Sequence, residues 1–235
     1  MGVASNPSIV TSGLIGFYDA VATGSSANTW QDLSGNGNDI TLANSPTMGS
    51  YNQQSIMHFE KDSSQYGSFS SNLFGGLSAM TANFWVRFEE VQSSGTTPYY
   101  QLLIFEACCW IAQYAGKIGI DLSDGSWFDT NGGVITGAQV DDGGSNITTG
   151  KWYNPCFTWG GSTVNCYMNG EHQRSRTTTG VSTLQNNDST KQLGNRGSTS
   201  TLFDGDLTIA QLYNKTLSAK EVRQNYNAFK GRFGL

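Results

Sequence analysis

Carboxylate side chains are the first candidates for chemistry in this sequence. Hydrolysis of a glycosidic bond needs two of them facing each other, about 5 Å apart when the enzyme retains the anomeric configuration. Glu60 and Asp62 begin the Glu-x-Asp-x-(x)-Glu pattern that retaining glucanases use, but positions 64 and 65 carry no acid, so the second glutamate is missing. Glu89 and Glu90 are adjacent on a predicted strand and so face opposite ways. We therefore predict no catalytic residue.

The two histidines offer no alternative catalytic set. His58 lies in an alternating segment and His172 lies next to a turn, and neither has a neighbouring serine or cysteine arranged as in a triad. The sequence also has no Gly-x-Ser-x-Gly elbow, no phosphate loop and no His-Glu-x-x-His zinc motif. Both histidines are interpreted as ordinary strand residues, and the protein is predicted not to be an enzyme.

A candidate metal loop begins at Asp32. In Asp32-Leu33-Ser34-Gly35-Asn36-Gly37, oxygen-bearing side chains alternate and a glycine stands sixth, as in the first half of a calcium loop. The twelfth position is alanine, so distant carboxylates would have to complete the site. The other interpretation is a tight turn held by the same side chains. One structural calcium is the only cofactor considered. Its candidate ligands are Asp19, Asp32, Ser34, Asn36 and Asp206.

Sugar recognition would need an exposed aromatic ring beside carboxylates or amides. The segment 121–144 is rich in Asp, Asn and Gly and contains one tryptophan, which makes it a candidate binding loop. Trp159, at a predicted hairpin turn, is a further candidate. The competing interpretation is that these aromatic side chains fill the core. The candidate sugar-binding residues are Trp127, Asp124, Asp129, Tyr99 and Tyr100.

Four cysteines are too few for a disulfide scaffold. Cys108 and Cys109 are adjacent and would point to opposite faces of a strand. A hairpin turning over three residues at Gly160-Gly161-Ser162 would place Cys156 opposite Cys166. Two buried free thiols are the preferred interpretation of that pair, with a disulfide as the alternative.

The composition excludes some classes of partner and favours a β-protein. The net charge is −5 without any basic cluster, which argues against nucleic-acid binding. Only 13% of the residues are charged, whereas 29 glycines and 12% aromatic residues suit short strands joined by turns. The N-terminus shows no signal-peptide pattern, and no apolar stretch approaches the ~20 residues of a membrane span. We expect assembly in the cytoplasm without membrane attachment.

Apolar residues alternate with polar ones along most of the chain, as expected for half-buried strands. In Thr81–Glu89, for example, Phe84, Val86 and Phe88 share one face. Repeated strands with short turns indicate a single all-β domain, a two-sheet antiparallel jelly-roll sandwich over 1–235 with an N-terminal arm at 1–12. The predicted strands are Gly13–Asp19, Ile56–Glu60, Thr81–Glu89, Gln101–Glu106, Lys117–Ser123, Tyr153–Trp159, Thr163–Asn169 and Asp206–Asn214.

One helix is predicted, at 218–230. Ser218 and Glu221 form a capping box, and Leu217 before the cap matches Val222 as a hydrophobic staple. Val222, Tyr226 and Phe229 form one apolar stripe. Gly231 is expected to end the helix, which would close the open end of the sandwich.

Three segments together resemble the concanavalin A-like lectin/glucanase superfamily. They are Leu14–Ala20 with Trp30–Asp39, then Gly150–Tyr153 with Tyr167–Glu171, and finally Phe203–Leu207 with Leu212–Ser218 and Asn225–Asn227. The version they resemble most is the laminin-G-like domain of tailed-phage virion proteins. The resemblance implies a two-sheet jelly roll, and it also implies that a structural calcium occurs in relatives.

The resemblance also carries the functional expectation. It implies a non-catalytic virion surface protein of a tailed bacteriophage, either a head decoration or a fibre-type module, located in the virion. Its expected partners are capsid or tail proteins and host-surface glycans, with a homo-oligomer compatible with this role. The alternatives are a free-standing carbohydrate-binding lectin and a glycoside hydrolase. Fold alone does not decide among these functions.

Overall fold

The computed structural model describes residues 8–21, 28–92, 100–105, 108–122, 138–178, 181–186, 190–194 and 203–235. Over these residues the protein is an antiparallel β-sandwich with one short α-helix near the C-terminus. The predicted fold class is therefore confirmed. No helix in the described ranges has the length and apolar character needed to cross a bilayer.

The nine-stranded sheet contains the longest strands. Its order is β15-β14-β13-β7-β17-β5-β4, with β1 also paired to β17 and β12 also paired to β7. Its members are β1 (Leu14–Asp19), β4 (Thr47–Tyr51), β5 (Gln54–Phe59), β7 (Ala79–Phe88), β12 (Trp152–Tyr153), β13 (Pro155–Gly160), β14 (Thr163–Met168), β15 (Glu171–Thr177) and β17 (Gly205–Tyr213).

The eight-stranded sheet contains shorter strands, in the order β11-β10-β9-β8-β16-β6-β3-β2. Its members are β2 (Thr29–Trp30), β3 (Ile40–Ala43), β6 (Tyr66–Ser68), β8 (Tyr100–Phe105), β9 (Cys109–Tyr114), β10 (Lys117–Leu122), β11 (Gln139–Val140) and β16 (Lys191–Leu193).

The main core lies between the two sheets. Phe84, Val86 and Phe88 of β7 belong to the same buried cluster as Ile118 and Ile120 of β10. Burying a side chain of this size contributes roughly 1.5–3 kcal/mol. The alternation of apolar residues therefore assigns the core-facing side of β7 and of β10 correctly.

The C-terminal helix α1 (Ala219–Phe229) covers the outer face of the nine-stranded sheet. The capping box forms as predicted, and Leu217 and Val222 pack in one small cluster with Tyr213. A 3₁₀ turn, Lys230–Phe233, continues the helix, and the chain ends this turn in the left-handed region at Gly234 (φ 71°). Gly231 lies inside that turn, so its predicted role as the helix stop is wrong.

A layer of aromatic rings joins this C-terminal segment to the sheet. Trp85 of β7 lies nearly parallel to the Tyr226 ring (centroids 5.6 Å apart) and to the Phe233 ring (4.1 Å). Trp152 also packs against Phe233. Because this layer covers it, Trp85 is fully buried although it faces away from the main core.

The β13–β14 hairpin corrects the predicted cysteine geometry. Gly160 pairs with Thr163, so the turn has two residues rather than three, and Phe157 pairs with Cys166. A one-residue change of register moves a side chain to the other face of a sheet. Cys156 accordingly packs beneath α1, whereas Cys166 packs in the main core. All four cysteines are buried free thiols.

Candidate functional site

The outer face of the eight-stranded sheet presents one continuous row of side chains. Directly paired residues of antiparallel strands share a face, with their Cβ atoms about 4.5–5.5 Å apart. Following the pairing from β2 to β10 therefore gives one row that crosses seven strands, which we call the outer row. Its members are Thr29, Thr41, Ser68, Gln192, Ile104, Trp110 and Asp121.

The next row along the same sheet shows that the outer row is not part of the core. It runs through Leu42, Gly67, Leu193, Leu103, Ile111 and Ile120, and all of these residues are buried. The outer row instead contains three hydroxyls, an amide, an indole, a carboxylate and one isoleucine, Ile104. This change from apolar to polar side chains shows that the outer row belongs to a different surface from the inner row.

Accessibility divides the outer row into two parts. Thr41 is exposed and Ser68, Gln192 and Trp110 are half-buried, whereas Ile104, between Gln192 and Trp110, and Asp121, at the far end, are buried. Tyr66 lies on the same face as Ser68, opposite Ala43, and is half-buried. Two aromatic rings thus accompany a set of short polar side chains.

Gln192 lies in the middle of the outer row with an unused hydrogen-bonding atom. Its side-chain Oε1 is buried and accepts no hydrogen bond from any described residue. An unsatisfied buried acceptor costs about 1–3 kcal/mol, so such atoms are usually paired. A hydroxyl of a bound molecule would satisfy it only after the amide turns outward, since Oε1 is not in contact with solvent.

Most of the predicted sugar-binding residues lie outside the described residues. These are Trp127, Asp124, Asp129 and Tyr99, which fall in 93–99 and 123–137. Tyr100 is described, and it is a residue of β8 that is only 6% exposed. Burial also raises the pKa of its hydroxyl. The expectation that Tyr100 is an exposed loop platform is wrong, because its strand places it opposite Gln113 in the sheet interior. Trp159 is fully buried as well, and its indole N–H donates to Thr178.

The Asp32 turn has the hydrogen bonds of a side-chain-stabilised turn. Oδ1 of Asp32 accepts from the backbone N–H groups of Phe17 (2.9 Å) and Ser34 (2.8 Å). Oδ2 accepts from the Asn38 N–H (2.9 Å) and from the Ser34 hydroxyl (2.8 Å). Calcium is bound by oxygen atoms that point at the ion. Here both carboxylate oxygens already face N–H and O–H donors, so Asp32 as arranged does not fit a calcium ligand.

The remaining calcium candidates are held elsewhere. Asn36 donates from Nδ2 to the Leu14 carbonyl (3.0 Å) and to the Ser34 hydroxyl (2.9 Å). Asp19 forms a two-fold ion pair with Arg232, with N–O distances of 2.7 and 3.1 Å. Asp206 is ion-paired with Arg87. The described structure thus gives each candidate carboxylate protein partners of its own.

Asp206 belongs to a charged cluster on the outer face of the nine-stranded sheet. Among the described residues, His58, Glu89 and Asp206 form the one group of three acidic, histidine or cysteine side chains close enough to share an ion. The Arg87 guanidinium contacts both carboxylates, however, and already supplies a positive charge there. The hydrogen bond that the His58 imidazole makes to the Asp206 carboxylate is the main cause that raises the pKa of His58.

This cluster also bears on catalysis. Asp206 is fully buried, and the guanidinium of Arg87 lies over the ring of Tyr51, 3.9 Å from its centroid. Of the other glutamates considered as catalytic candidates, Glu90 pairs with Lys61 and Glu60 accepts the Asp62 N–H at 3.3 Å. The cluster is therefore a paired structural network and not two carboxylates open to a substrate.

Comparison with solved structures finds the same fold in binding domains and in enzymes. The binding domain of Paraclostridial Mosquitocidal Protein 1 superposes with a TM-score of 0.67 at 16% identity, over 93% of this chain and 53% of that one. Domain 4 of AbnA, a GH43 extracellular arabinanase from Geobacillus stearothermophilus solved with arabinotriose, superposes with a TM-score of 0.66 at 15% identity. The match covers 91% of this chain and 98% of that one. A Trypanosoma rangeli sialidase superposes with a TM-score of 0.60 at 14% identity, over 98% of this chain and 36% of that one.

The chain spans about half the length of the mosquitocidal binding domain and nearly all of the arabinanase domain. At these identities the likeness establishes the fold alone. A search of curated protein sequences finds no match. The family model described as the concanavalin A-like lectin/glucanases superfamily matches residues 61–223, which is more than half of the sequence. The chain therefore belongs to the concanavalin A-like lectin/glucanases superfamily.

Proposed function

We propose that this protein is a non-catalytic carbohydrate-binding domain whose ligand lies on the outer row of the eight-stranded sheet. The observation that carries the proposal is the composition of that row, in which hydroxyl and amide side chains lie beside a half-buried tryptophan. A sugar ring presents both hydroxyl groups and an apolar C–H face, so it needs polar partners and an aromatic surface together.

The arrangement of the row suits this chemistry. Ser68 and Gln192 are directly paired, so their polar ends reach adjacent hydroxyls of one ligand. Oε1 of Gln192 has no hydrogen-bond partner among the described residues, and because this atom is buried, the amide would have to turn outward to accept a ligand hydroxyl. Trp110 lies two strands away from Gln192 along the row, within the length of one or two sugar rings. The arabinanase domain of the same fold, solved with arabinotriose, supports this class of ligand.

The absence of catalysis in this proposal rests on the placement of the acids. Among the described residues of the outer row, Asp121 is the one acid, and it is buried. A single buried carboxylate does not provide the acid and nucleophile or base that glycoside hydrolysis uses. Sialidases share the fold, so hydrolysis is the alternative that the experiment must also address.

A glycan array followed by titration with the best ligand tests the proposal. We expect Trp110→Ala and Gln192→Ala each to weaken binding at least tenfold, about 1.4 kcal/mol. Thr177→Ala, on an exposed position of the other sheet, should bind as the wild type does. Binding to no glycan, or equal loss in all three variants, would contradict the proposal. Release of reducing sugar from a bound glycan would favour a hydrolase instead.

We further propose that this binding domain is a surface module of a tailed-phage virion, either a head decoration or a fibre-type protein. The support is the sequence resemblance carried by the first and last motifs, Leu14–Ala20 with Trp30–Asp39 and Phe203–Leu207 with Leu212–Ser218. Capsid or tail proteins are then its partners, and host-surface glycans its ligands. Quantitative mass spectrometry of purified particles should find the protein in stoichiometric amounts, whereas its absence from particles would leave a free lectin.

A further inference from the structure

Strand β4 forms an edge of the nine-stranded sheet that is unusually open to pairing. It pairs with β5 on one side, and no described strand pairs with its other side. Residues 47–50 are all exposed, and Met48, at 37% exposure, is one of the few large apolar side chains at the surface. An edge of this kind presents unpaired backbone N–H and C=O groups to another strand.

Strand β4 itself lacks the usual protection of an edge, since Pro46, which has no backbone N–H, lies just before the strand and outside its paired residues. Positions 40–57 contain no charged residue, and the β4–β5 pairing has no bulge. The opposite edge of the same sheet, β15, carries Glu171, Arg174 and Arg176. Charged residues and bulges are the common means of preventing edge-to-edge association. β15 has charges of this kind, whereas β4 has neither.

The β4–β5 turn determines which backbone groups face outward. Asn52 and Gln53 both have positive φ (48° and 66°), as in a two-residue type I′ turn. In such a hairpin the flanking residues, Tyr51 and Gln54, form a hydrogen-bonded pair. From there on, non-hydrogen-bonded and hydrogen-bonded pairs alternate along the two strands. Gly49 therefore bonds to Ile56, while Met48 and Ser50 direct their backbone groups to the free edge.

This pattern is complementary to itself. If two copies of β4 align antiparallel about a two-fold axis at Gly49, Met48 of each copy lies opposite Ser50 of the other. Each of these pairs exchanges two backbone hydrogen bonds, which gives four in total. The two glycines then meet as a non-hydrogen-bonded pair at the axis, where their Cα atoms are about 4.5 Å apart. No like charges oppose each other across this interface.

We propose that the partner of β4 is a second copy of this chain, and that the two nine-stranded sheets join through antiparallel β4–β4 pairing centred on Gly49. The uncharged edge, the self-complementary register and the exposed Met48 carry this inference. It does not depend on carbohydrate binding, because the outer row belongs to the other sheet. A symmetric dimer is formed by one surface patch that pairs with itself.

Cysteine cross-linking tests the register. Gly49 has no strained φ, and an added Cβ would meet only Ile56 Cγ1 at 4.0 Å, so Gly49→Cys is expected to fold. Under mild oxidation it should form a disulfide-linked dimer, since Cα atoms 4.4–6.8 Å apart suit a disulfide. Thr177→Cys, on the β15 edge, should not cross-link to a comparable extent. The four native cysteines are buried, so the wild type serves as a blank.

Sedimentation velocity tests the association itself. The apparent mass of the wild type should rise with protein concentration from 25.3 kDa towards twice that value. Met48→Lys should weaken the dimer at least tenfold, because a charged side chain joins the paired edge. Leu33→Lys, at a position with similar exposure (40%), is the matched control and should dimerise normally. A wild type that stays monomeric up to about 100 µM, or equal dimerisation of both lysine variants, would overturn the proposal.

Discussion

The guanidinium of Arg87 donates from Nε to Oδ2 of Asp206 across 2.6 Å, on the outer face of the nine-stranded sheet. His58 contacts the other carboxylate oxygen of Asp206 at 2.9 Å. These three residues are directly paired on β7, β17 and β5, so one buried carboxylate connects three neighbouring strands. The arrangement explains how three ionisable side chains are accommodated side by side on this face of the sheet.

Removal of Asp206 should be strongly destabilising. Asp206→Ala leaves the almost fully buried guanidinium of Arg87 without its buried partner, and breaking a buried ion pair on one side costs about 3–5 kcal/mol. Glu89→Ala removes the more exposed partner of the same arginine and should cost less than about 1 kcal/mol. Urea unfolding measures both. Equal losses in the two variants would contradict the assigned importance of Asp206.

The His58–Asp206 contact should make stability depend on pH. The Asp206 hydrogen bond raises the pKa of His58 above its ordinary value of 6.5, while partial burial opposes this shift. A group whose pKa is higher in the folded state stabilises the fold fully below its unfolded pKa. This contribution should be lost as the pH rises from 6.5 through the raised pKa. Glu89 and Glu60 also act on this histidine, and Arg87 is paired with the same Asp206, so the comparison must be made against a variant.

His58→Gln provides that comparison. The free energy of unfolding of the wild type should exceed that of His58→Gln by more at pH 5.5 than at pH 8.5, about 1.4 kcal/mol for each unit by which the pKa is raised. His172→Gln is the control, because that imidazole is exposed and contacts a serine. A difference between wild type and His58→Gln that is constant with pH would contradict the prediction.

The sandwich could be predicted from the sequence because strands such as β7 and β10 alternate core-facing apolar residues with other residues. Thr81–Glu89 and Lys117–Ser123 became β7 and β10 within two residues at each end. The predicted outward side of β7 is nevertheless buried, since the C-terminal helix and 3₁₀ turn cover Trp85. Alternation identifies two faces of a strand, but a second covering layer comes from distant sequence.

The candidate site was less accessible to sequence reasoning. Trp110 follows a continuous apolar run, so β9 has no clear alternation, and Gln192 lies in a strand of only three residues. Their proximity depends on pairings between segments far apart in the chain. The predicted pairing of Cys156 with Cys166 was wrong for a local reason. The segment Gly160-Gly161-Ser162 is compatible with turns of two or three residues, and the two-residue turn forms.

The Asp32 turn predicts how the protein responds to a chelator. Because backbone N–H groups and a hydroxyl already saturate the Asp32 carboxylate, the melting temperature should be the same in EDTA as in calcium. Asp32→Ala leaves buried N–H groups unpaired and should destabilise the fold by about 1–3 kcal/mol. This loss should also be independent of calcium. A melting temperature that falls in EDTA for the wild type but not for Asp32→Ala would instead support a calcium site.

The capping box of α1 predicts a loss of stability in acid. A hydrogen bond from Lys215 and one from the Ser218 N–H are the main causes that lower the pKa of Glu221 to about 2. A carboxylate with a lowered folded pKa stabilises the fold above its unfolded value of 4.5, and this contribution is lost as the pH falls towards 2. At pH 7, Glu221→Gln and Ser218→Ala should each cost about 1 kcal/mol.

Urea unfolding at pH 7 and pH 3 separates this effect from general acid destabilisation. The difference in the free energy of unfolding between wild type and Glu221→Gln should shrink at pH 3, because the wild-type carboxylate is then closer to its folded pKa. Lys220→Ala changes an exposed residue of the same helical turn and should behave as the wild type at both pH values. Since α1 holds the aromatic layer against Trp85, tryptophan fluorescence should report the same transition. If the difference in the free energy of unfolding between wild type and Glu221→Gln were larger at pH 3 than at pH 7, the Glu221 carboxylate would not be stabilised in its charged form.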